Sequence, residues 1–337
     1  MKRKLVSTWV AVVFIAGLMA VTLVPAASAA ELTLSHMAPA GSILDKQLSA
    51  WAEKVKKDSN GKLNIRLFPG ATLINPVETF SGVEKGIADM GSSYRYSRAG
   101  AELTGLISMY LAGVPDSATG SRIVAEIWKN FPEFRKEWET VKVLWVNSSG
   151  PAVVATTKPV RTMADLKGLE LRVPVPEAAD ALKLLGGTPV SMTSADMVIG
   201  MKKGTVHGGL VFKEAIESFK LPVKYVTEFG MYQSCNWFLV MNLNSWNKLS
   251  PDLQKVIEDS LAWGRNESIK AFDAADASAV EYGKKEGMEF IKLSAEENAK
   301  WFEIVDGNNR KHAAALDAKG YPATKVLEFV NKIRGQK

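Results

Sequence analysis

The 337-residue chain has little of what most catalytic and metal chemistry needs. It carries one cysteine, Cys235, and three histidines, His36, His207 and His312. A single thiol excludes an internal disulfide and reads most simply as a small buried hydrophobe. No histidine stands at metal-ligand spacing from another His or from the Cys, so neither a metal site nor a cofactor is expected. There is no G-x-S-x-G, P-loop or G-x-G-x-x-G motif, and no partner that would make a general base of a histidine. An enzyme is therefore the least favoured reading. No Lys/Arg run longer than two follows residue 30, which removes the basic footprint of a nucleic-acid or membrane-surface binder. Internal repeats and low-complexity tracts are also missing.

What is present begins with an export signal. Lys2, Arg3 and Lys4 form a basic start, and Leu5 to Val24 carries no charge. Pro25 breaks that run, and Ala27-Ser28-Ala29 supplies the small-x-small pattern that a signal peptidase accepts. Cleavage near Ala29 or Ala30 is expected, so residues 1–30 read as a signal peptide and the mature protein as periplasmic. The run is also long enough to span a bilayer, which leaves a retained anchor as the alternative. Losing Lys2, Arg3 and Lys4 lowers the formal charge from +6 to +3, a mild value.

The remaining length suits two α/β domains. Leu32–His36 and Leu63–Leu67 alternate apolar and polar residues as strands do. Between them, Ser42 can cap a helix with Leu44, Leu48, Trp51 and Val55 on one face. A further helix over 76–85 leads to a short strand near Met90. This alternation predicts a parallel sheet covered by helices. Strands are again expected over 141–146, 152–156 and 169–173, and helices over 177–185 and 195–203. Strand-like runs then follow at 223–229 and 237–242. Pro251, with Asp252 beside it, opens a long helix running towards Lys285, its apolar face formed by Leu253, Val256, Ile257, Leu261 and Trp263. The C-terminal third is mostly helical, with one short strand near Phe290-Ile291.

Two residues at strand ends are chemically suggestive. His36 precedes the Pro39-Ala40-Gly41 loop and is open to two readings, a hydrogen-bonded loop histidine or a ligand contact. Arg172, in Leu169-Glu170-Leu171-Arg172-Val173-Pro174, is placed to enter a cleft, and its planar fork matches a carboxylate. From position alone, a structural salt bridge is equally open.

The stretch from Arg161 to Gly209, "RTMADLKGLELRVPVPEAADALKLLGGTPVSMTSADMVIGMKKGTVHGG", closely resembles the TRAP-transporter solute-binding proteins of the DctP type. Asp165 to Pro174 and Leu185 to Val190 carry the likeness best, and "FPGATLINPVETFSGVEKGIADMG" and "NSWNKLSPDLQKVI" extend it over essentially the whole mature chain. The resemblance implies a two-lobe periplasmic-binding-protein fold, type II-like, with an interdomain ligand cleft and long C-terminal helices. It places lobe one at 31–149 plus 238–276 and lobe two at 150–237 plus 277–337. It further implies a monomeric receptor that closes over a small organic carboxylate and delivers it to TRAP permease subunits, with Arg172 as the carboxylate-binding arginine.

The sequence departs from that family pattern at two points. Ala152 stands near a position where members often have a second arginine, and Val211 near one where they often have an asparagine. A second buried carboxylate would then lack partners, which is costly. A monocarboxylate with an apolar or aromatic tail is accordingly favoured over a C4-dicarboxylate. Phe212, Tyr94, Tyr96 and Trp237 are candidate walls, each equally open to a reading as ordinary core. Arg95, beside Tyr94, could still serve a second carboxylate. Asn147 and Pro174 complete the candidate ligand contacts. A receptor for another kind of transporter, or for a sensor, is the nearest alternative.

Overall fold

The computed structural model describes residues 30–95, 100–174, 176–230 and 237–334. The chain opens with β1 (Ala30–His36), α1 (Ile43–Asp58), β2 (Leu63–Phe68), α2 (Thr79–Glu84) and β3 (Met90–Tyr94). Three helices follow, α3 (Glu102–Tyr110), α4 (Ser117–Asn130) and α5 (Pro132–Lys136), and then β4 (Lys142–Asn147). The middle of the chain contributes β5 (Ala152–Thr156), a 3-10 turn over Met163–Leu166, β6 (Glu170–Val173), α6 (Pro176–Leu184), β7 (Thr188–Ser191), α7 (Ser194–Lys203), β8 (Gly208–Phe212), α8 (Lys213–Ser218) and β9 (Tyr225–Thr227). The last part holds β10 (Trp237–Met241), α9 (Leu243–Lys248), α10 (Pro251–Lys285), β11 (Glu289–Ile291), α11 (Ala295–Asp317) and α12 (Ala323–Ile333).

Two sheets form, one in each lobe. The first has the order β2-β1-β3-β10-β4 and the second β11-β9-β5-β8-β6-β7. The parallel sheets expected from sequence are mixed instead. β10 runs antiparallel to β3 and β4, and β5 antiparallel to β8 and β9. The reason is connectivity, since β5 and β10 are each the first strand after a crossing between lobes and enter their sheets against the neighbours.

Local chemistry sets the elements. Ser42 Oγ accepts from the Asp45 amide at the start of α1, and Leu44, Leu48, Trp51 and Val55 are buried as their spacing predicts. Trp51 donates to Ser260 Oγ at 2.9 Å and packs edge-on against Trp145 with ring centroids 5.3 Å apart. Gly264 on α10 faces both rings, where a Cβ would lie 2.8 Å from each. The apolar face read for α10 holds at Ile257, which is buried, and at Leu253, Val256 and Leu261, which pack partly against the core. Trp263 is 38% exposed and does not belong to it.

The core has four parts. Two lie in the first lobe and one behind β5 and β8 in the second. The fourth spans both, joining Ala38, Leu44 and Tyr94 to Val154, Leu171 and Phe212. Helix α10 contacts α1, α4 and β4 in lobe one and α8 in lobe two. The division taken from the resemblance puts 277–337 wholly with lobe two. In the structure α12 packs on α3 and α4, its Val326, Leu327 and Val330 sharing the first lobe's core with Phe80 and Phe238. That amphipathic helix buries its apolar face against both the first lobe and α11, whose Ala313 and Leu316 share the same core.

Candidate functional site

Arg172 lies next to last in β6, opposite Val190 of β7 and Gly209 of β8. A Cβ on Gly209 would lie 2.7 Å from Arg172 Cβ and 2.8 Å from Met197 Sδ, so the bare backbone there makes room for the arginine. The side chain is 4% exposed. Its Nε donates to the Met192 carbonyl at 2.8 Å and its Nη1 to the Leu210 carbonyl at 2.9 Å. Nη2 makes no hydrogen bond among the described residues. The Met192 carbonyl, just past β7, and the Leu210 carbonyl, in the middle of β8, fix the fork and leave a donor edge. A buried guanidinium without an anionic partner is costly, and this edge has the donor geometry that suits a carboxylate.

Aromatic rings stand between the lobes. Tyr94 of β3 meets Phe212 of β8 edge-on, with centroids 6.1 Å apart at 71°. Tyr94 is 5.7 Å from Trp237 of β10, which in turn meets Phe272 of α10 at 4.9 Å and 81°. Phe272 was not among the candidates. Its spacing on a long amphipathic helix is that of any core residue, and no sequence signal sets it apart. Ala152 lies directly opposite Phe212 in the β5–β8 ladder, on the same face of the sheet. A cavity of ≈ 390 Å³, lined by none of these rings, separates Gly41, Ser42 and Leu44 of lobe one from Glu214 and Ser218 of lobe two.

Several candidates are held elsewhere. Val211 pairs with Val153 and points to the opposite face, into a core with Met197, Ala215 and Ile216. Strand alternation explains this, because its neighbour Phe212 takes the interlobe face. Arg95 lies over the Phe80 ring at 3.7 Å and near Trp138 at 4.9 Å, and its Nη2 donates to the Gly100 carbonyl at 3.0 Å. These contacts commit it to the interior of lobe one, not to the cleft. His36 is fully buried with Nε2 3.1 Å from Asp45 Oδ1, and burial holds its imidazole below the ordinary value despite that carboxylate. Asp45 also accepts from the Gly41 amide at 2.7 Å, so His36 and Asp45 together brace the loop after β1. This is the loop-histidine reading.

Asn147, fully buried at the end of β4, donates to the Ser148 carbonyl and accepts from Ser268 Oγ at 3.4 Å. It anchors the chain where it crosses between lobes. Pro174 is half-buried directly after β6. Tyr96, Cys235 and the N-terminal signal lie outside the described residues. Among the described residues no group of three or more His, Cys, Asp or Glu could hold a metal ion.

Residues 34–315 match the model of the bacterial extracellular solute-binding proteins, family 7. A solute-binding protein of Albidiferax ferrireducens is 26% identical over 301 residues, covering 85% of this chain and 84% of that protein. A TRAP solute-binding protein from Rhodoferax ferrireducens, in complex with copurified benzoate, has a TM-score of 0.83 at 22% identity and covers 91% of this chain and 98% of its own. A marine metagenome TRAP solute-binding protein specific for aromatic acid ligands, co-crystallised with 3-hydroxybenzoate, has a TM-score of 0.84 at 23% identity, covering 92% and 99%.

Proposed function

The chain belongs to the bacterial extracellular solute-binding proteins of family 7, and on that premise we propose that it captures a monocarboxylate with an aromatic or apolar body and hands it to a TRAP permease. Solute binding is the business of the family; the ligand class is the step taken here. The observation that carries it is the pairing of one arginine edge with a largely aromatic interlobe surface. Arg172 offers a fixed donor edge for one carboxylate, and Tyr94, Phe212 and Trp237 supply flat apolar area. Ala152 supplies no donor where a second carboxylate would need one, and Arg95 is engaged with Phe80.

Binding follows from these parts without covalent chemistry. The carboxylate meets the Arg172 fork, its tail lies against the rings, and contacts from both lobes favour the closed form over the open one. The two solved relatives described above hold aromatic acids, which supports the same ligand class. Members of the family are periplasmic, and we propose that this chain reaches that compartment through cleavage near Ala29 or Ala30 and works there as a monomer.

A thermal-shift screen tests the ligand class, because a ligand that binds only the folded state raises the melting temperature. Benzoate, mandelate and branched 2-oxo acids should stabilise the mature protein. Stabilisation by succinate or malate alone would replace the reading with a dicarboxylate receptor. N-terminal sequencing of the exported protein checks the cleavage point.

A further inference from the structure

A second arginine, in the other lobe, is held in the same manner as Arg172. Arg265 of α10 donates its Nε to the Val146 carbonyl at 3.1 Å and its Nη2 to the Ser121 carbonyl at 2.8 Å. Its Nη1 makes no hydrogen bond among the described residues. Burial holds the guanidinium below its ordinary value, and no carboxylate acts against that effect. Arg265 belongs to the wall of a surface groove of ≈ 320 Å³ on lobe one. Val124, Ala125 and Trp128 of α4 form one side, Leu261, Ala262 and Arg265 of α10 the other, and residues 143–146 of β4 lie between them. Successive strand residues alternate faces, so four in a row mean that the groove follows the outer edge of β4, the last strand of the first sheet. Ring contacts fix the sides. Trp128 stands edge-on to Phe134 with centroids 5.7 Å apart, and Trp145 is seated against Trp51.

We propose that this groove is a second binding site, for a small monocarboxylate with an aryl or alkyl tail, whose carboxylate meets Arg265 and whose tail lies along Trp128 and Leu261. Arg265 is the only charged residue in the groove's lining, so the site suits one negative charge and not a dicarboxylate or a phosphate ester. A guanidinium partly withdrawn from water binds a carboxylate more strongly than a neutral acceptor. The remaining lining is mostly apolar, which suits a tail that cannot hydrogen-bond. The volume stands at the lower end of the range for small-molecule sites, about 300–1,000 Å³. An added peptide strand fits this edge less well. Near the end of β4 the Val146 carbonyl and the Ser148 amide are already bonded, to Arg265 and to Ser121 Oγ, and are not free to join a ladder. None of Tyr94, Phe212 and Trp237 lines the groove, so the site is separate from the interlobe surface.

Fluorine NMR on the mature protein carrying 5-fluorotryptophan tests this. The Trp128 signal is assigned by its loss in Trp128→Phe, and benzoate and hexanoate are the probes. That signal should move along a saturating isotherm with each acid. Arg265→Gln removes the charge and should weaken the response by about tenfold or more. Ala125→Trp fills the groove from an exposed position on α4, so it blocks the site without disturbing the core. It should weaken the response as much. Arg172→Ala should leave the isotherm unchanged, which keeps this result apart from the reading of the interlobe site. A Trp128 signal that does not move, or an isotherm that survives intact in both groove variants, overturns the proposal. Loss of the response in Arg172→Ala overturns it too, because Trp128 would then be reporting the interlobe site from a distance.

Discussion

Gly209 stands beside Arg172 in the β6–β8 register, and a β-carbon at 209 would lie 2.7 Å from the arginine's own and 2.9 Å from its carbonyl oxygen. The glycine is thus a condition for the arginine's position. Gly209→Ala should cost about 1–3 kcal/mol of stability, the scale of overpacking a filled site. It should also weaken ligand binding, because backbone cannot yield as a flexible side chain can. Denaturant melts and calorimetry with benzoate on the same preparation check both. Unchanged values in both would mean that the two strands part at no cost.

Arg172 holds two carbonyls and is proposed to bind the ligand's carboxylate, and a truncation separates the two by size. Arg172→Ala removes the anion partner and should weaken benzoate binding by about 2–5 kcal/mol. It also strips the Met192 and Leu210 carbonyls of their donor, which should lower stability by about 1–3 kcal/mol. Arg172→Lys keeps the charge and loses the fork, so most of the affinity should stay lost. Near-wild-type affinity in the alanine variant would make this residue purely structural.

The Phe212–Tyr94 edge contact bears on ligand choice. Phe212→Leu keeps an apolar side chain and removes the ring. It should weaken aromatic acids by about 0.5–1.5 kcal/mol and leave aliphatic monocarboxylates nearly unaffected. Competition calorimetry between benzoate and a branched 2-oxo acid reads the difference. An equal loss for both ligands would assign Phe212 to lobe packing alone.

Glu214 and Asp276 make stability depend on pH, and the sign is fixed. Unfolded, such carboxyls titrate at about 4.3 and 3.9; folded, burial raises both to about 7. Between about pH 4 and 7 the folded protein holds more protons, so their contribution to stability falls as pH rises through that window. His36, lowered by burial, acts in the opposite sense, its contribution being lost as pH falls below about 6.5. Asp276→Asn removes the Asp276 share of the first effect and leaves that of His36. Relative to wild type the variant should therefore gain stability as pH rises from 4.5 to 7, at no more than about 1.4 kcal/mol per pH unit for one proton. Urea melts at four pH values suffice, and parallel curves for the two proteins would contradict the assignment.

Much of the architecture could be read from the chain because single residues punctuate it. Pro251 and Asp252 mark the start of α10, and Ser42 that of α1. β8 escaped notice because it begins with Gly208-Gly209, a pair that weakens any strand signal, although the strand lies inside the second sheet. Helices α3, α4 and α5 went unassigned from sequence, although Gly120, Ile123, Val124 and Ile127 of α4 share a buried face at helical spacing. In the candidate site, Arg172 stood out by its chemistry and by resemblance, and Phe212 as one of several aromatic candidates. The facing of Val211 is decided by strand parity and the position of Arg95 by a distant Phe80, and neither is visible in residue type. Phe272 reaches the rings through tertiary packing alone.

The place of β10 has a consequence for how the chain comes to be folded. Met90–Tyr94 and Lys142–Asn147 meet only through Trp237–Met241, which arrives after nearly all of the second lobe. A nascent chain emerging N-terminus first therefore has two unsatisfied strand edges in its leading part until residue 241 is available. Such distant pairing is slow to form. The first sheet therefore cannot close until residue 241 has been made, and its folding should be slow beside that of a sheet built from neighbouring strands.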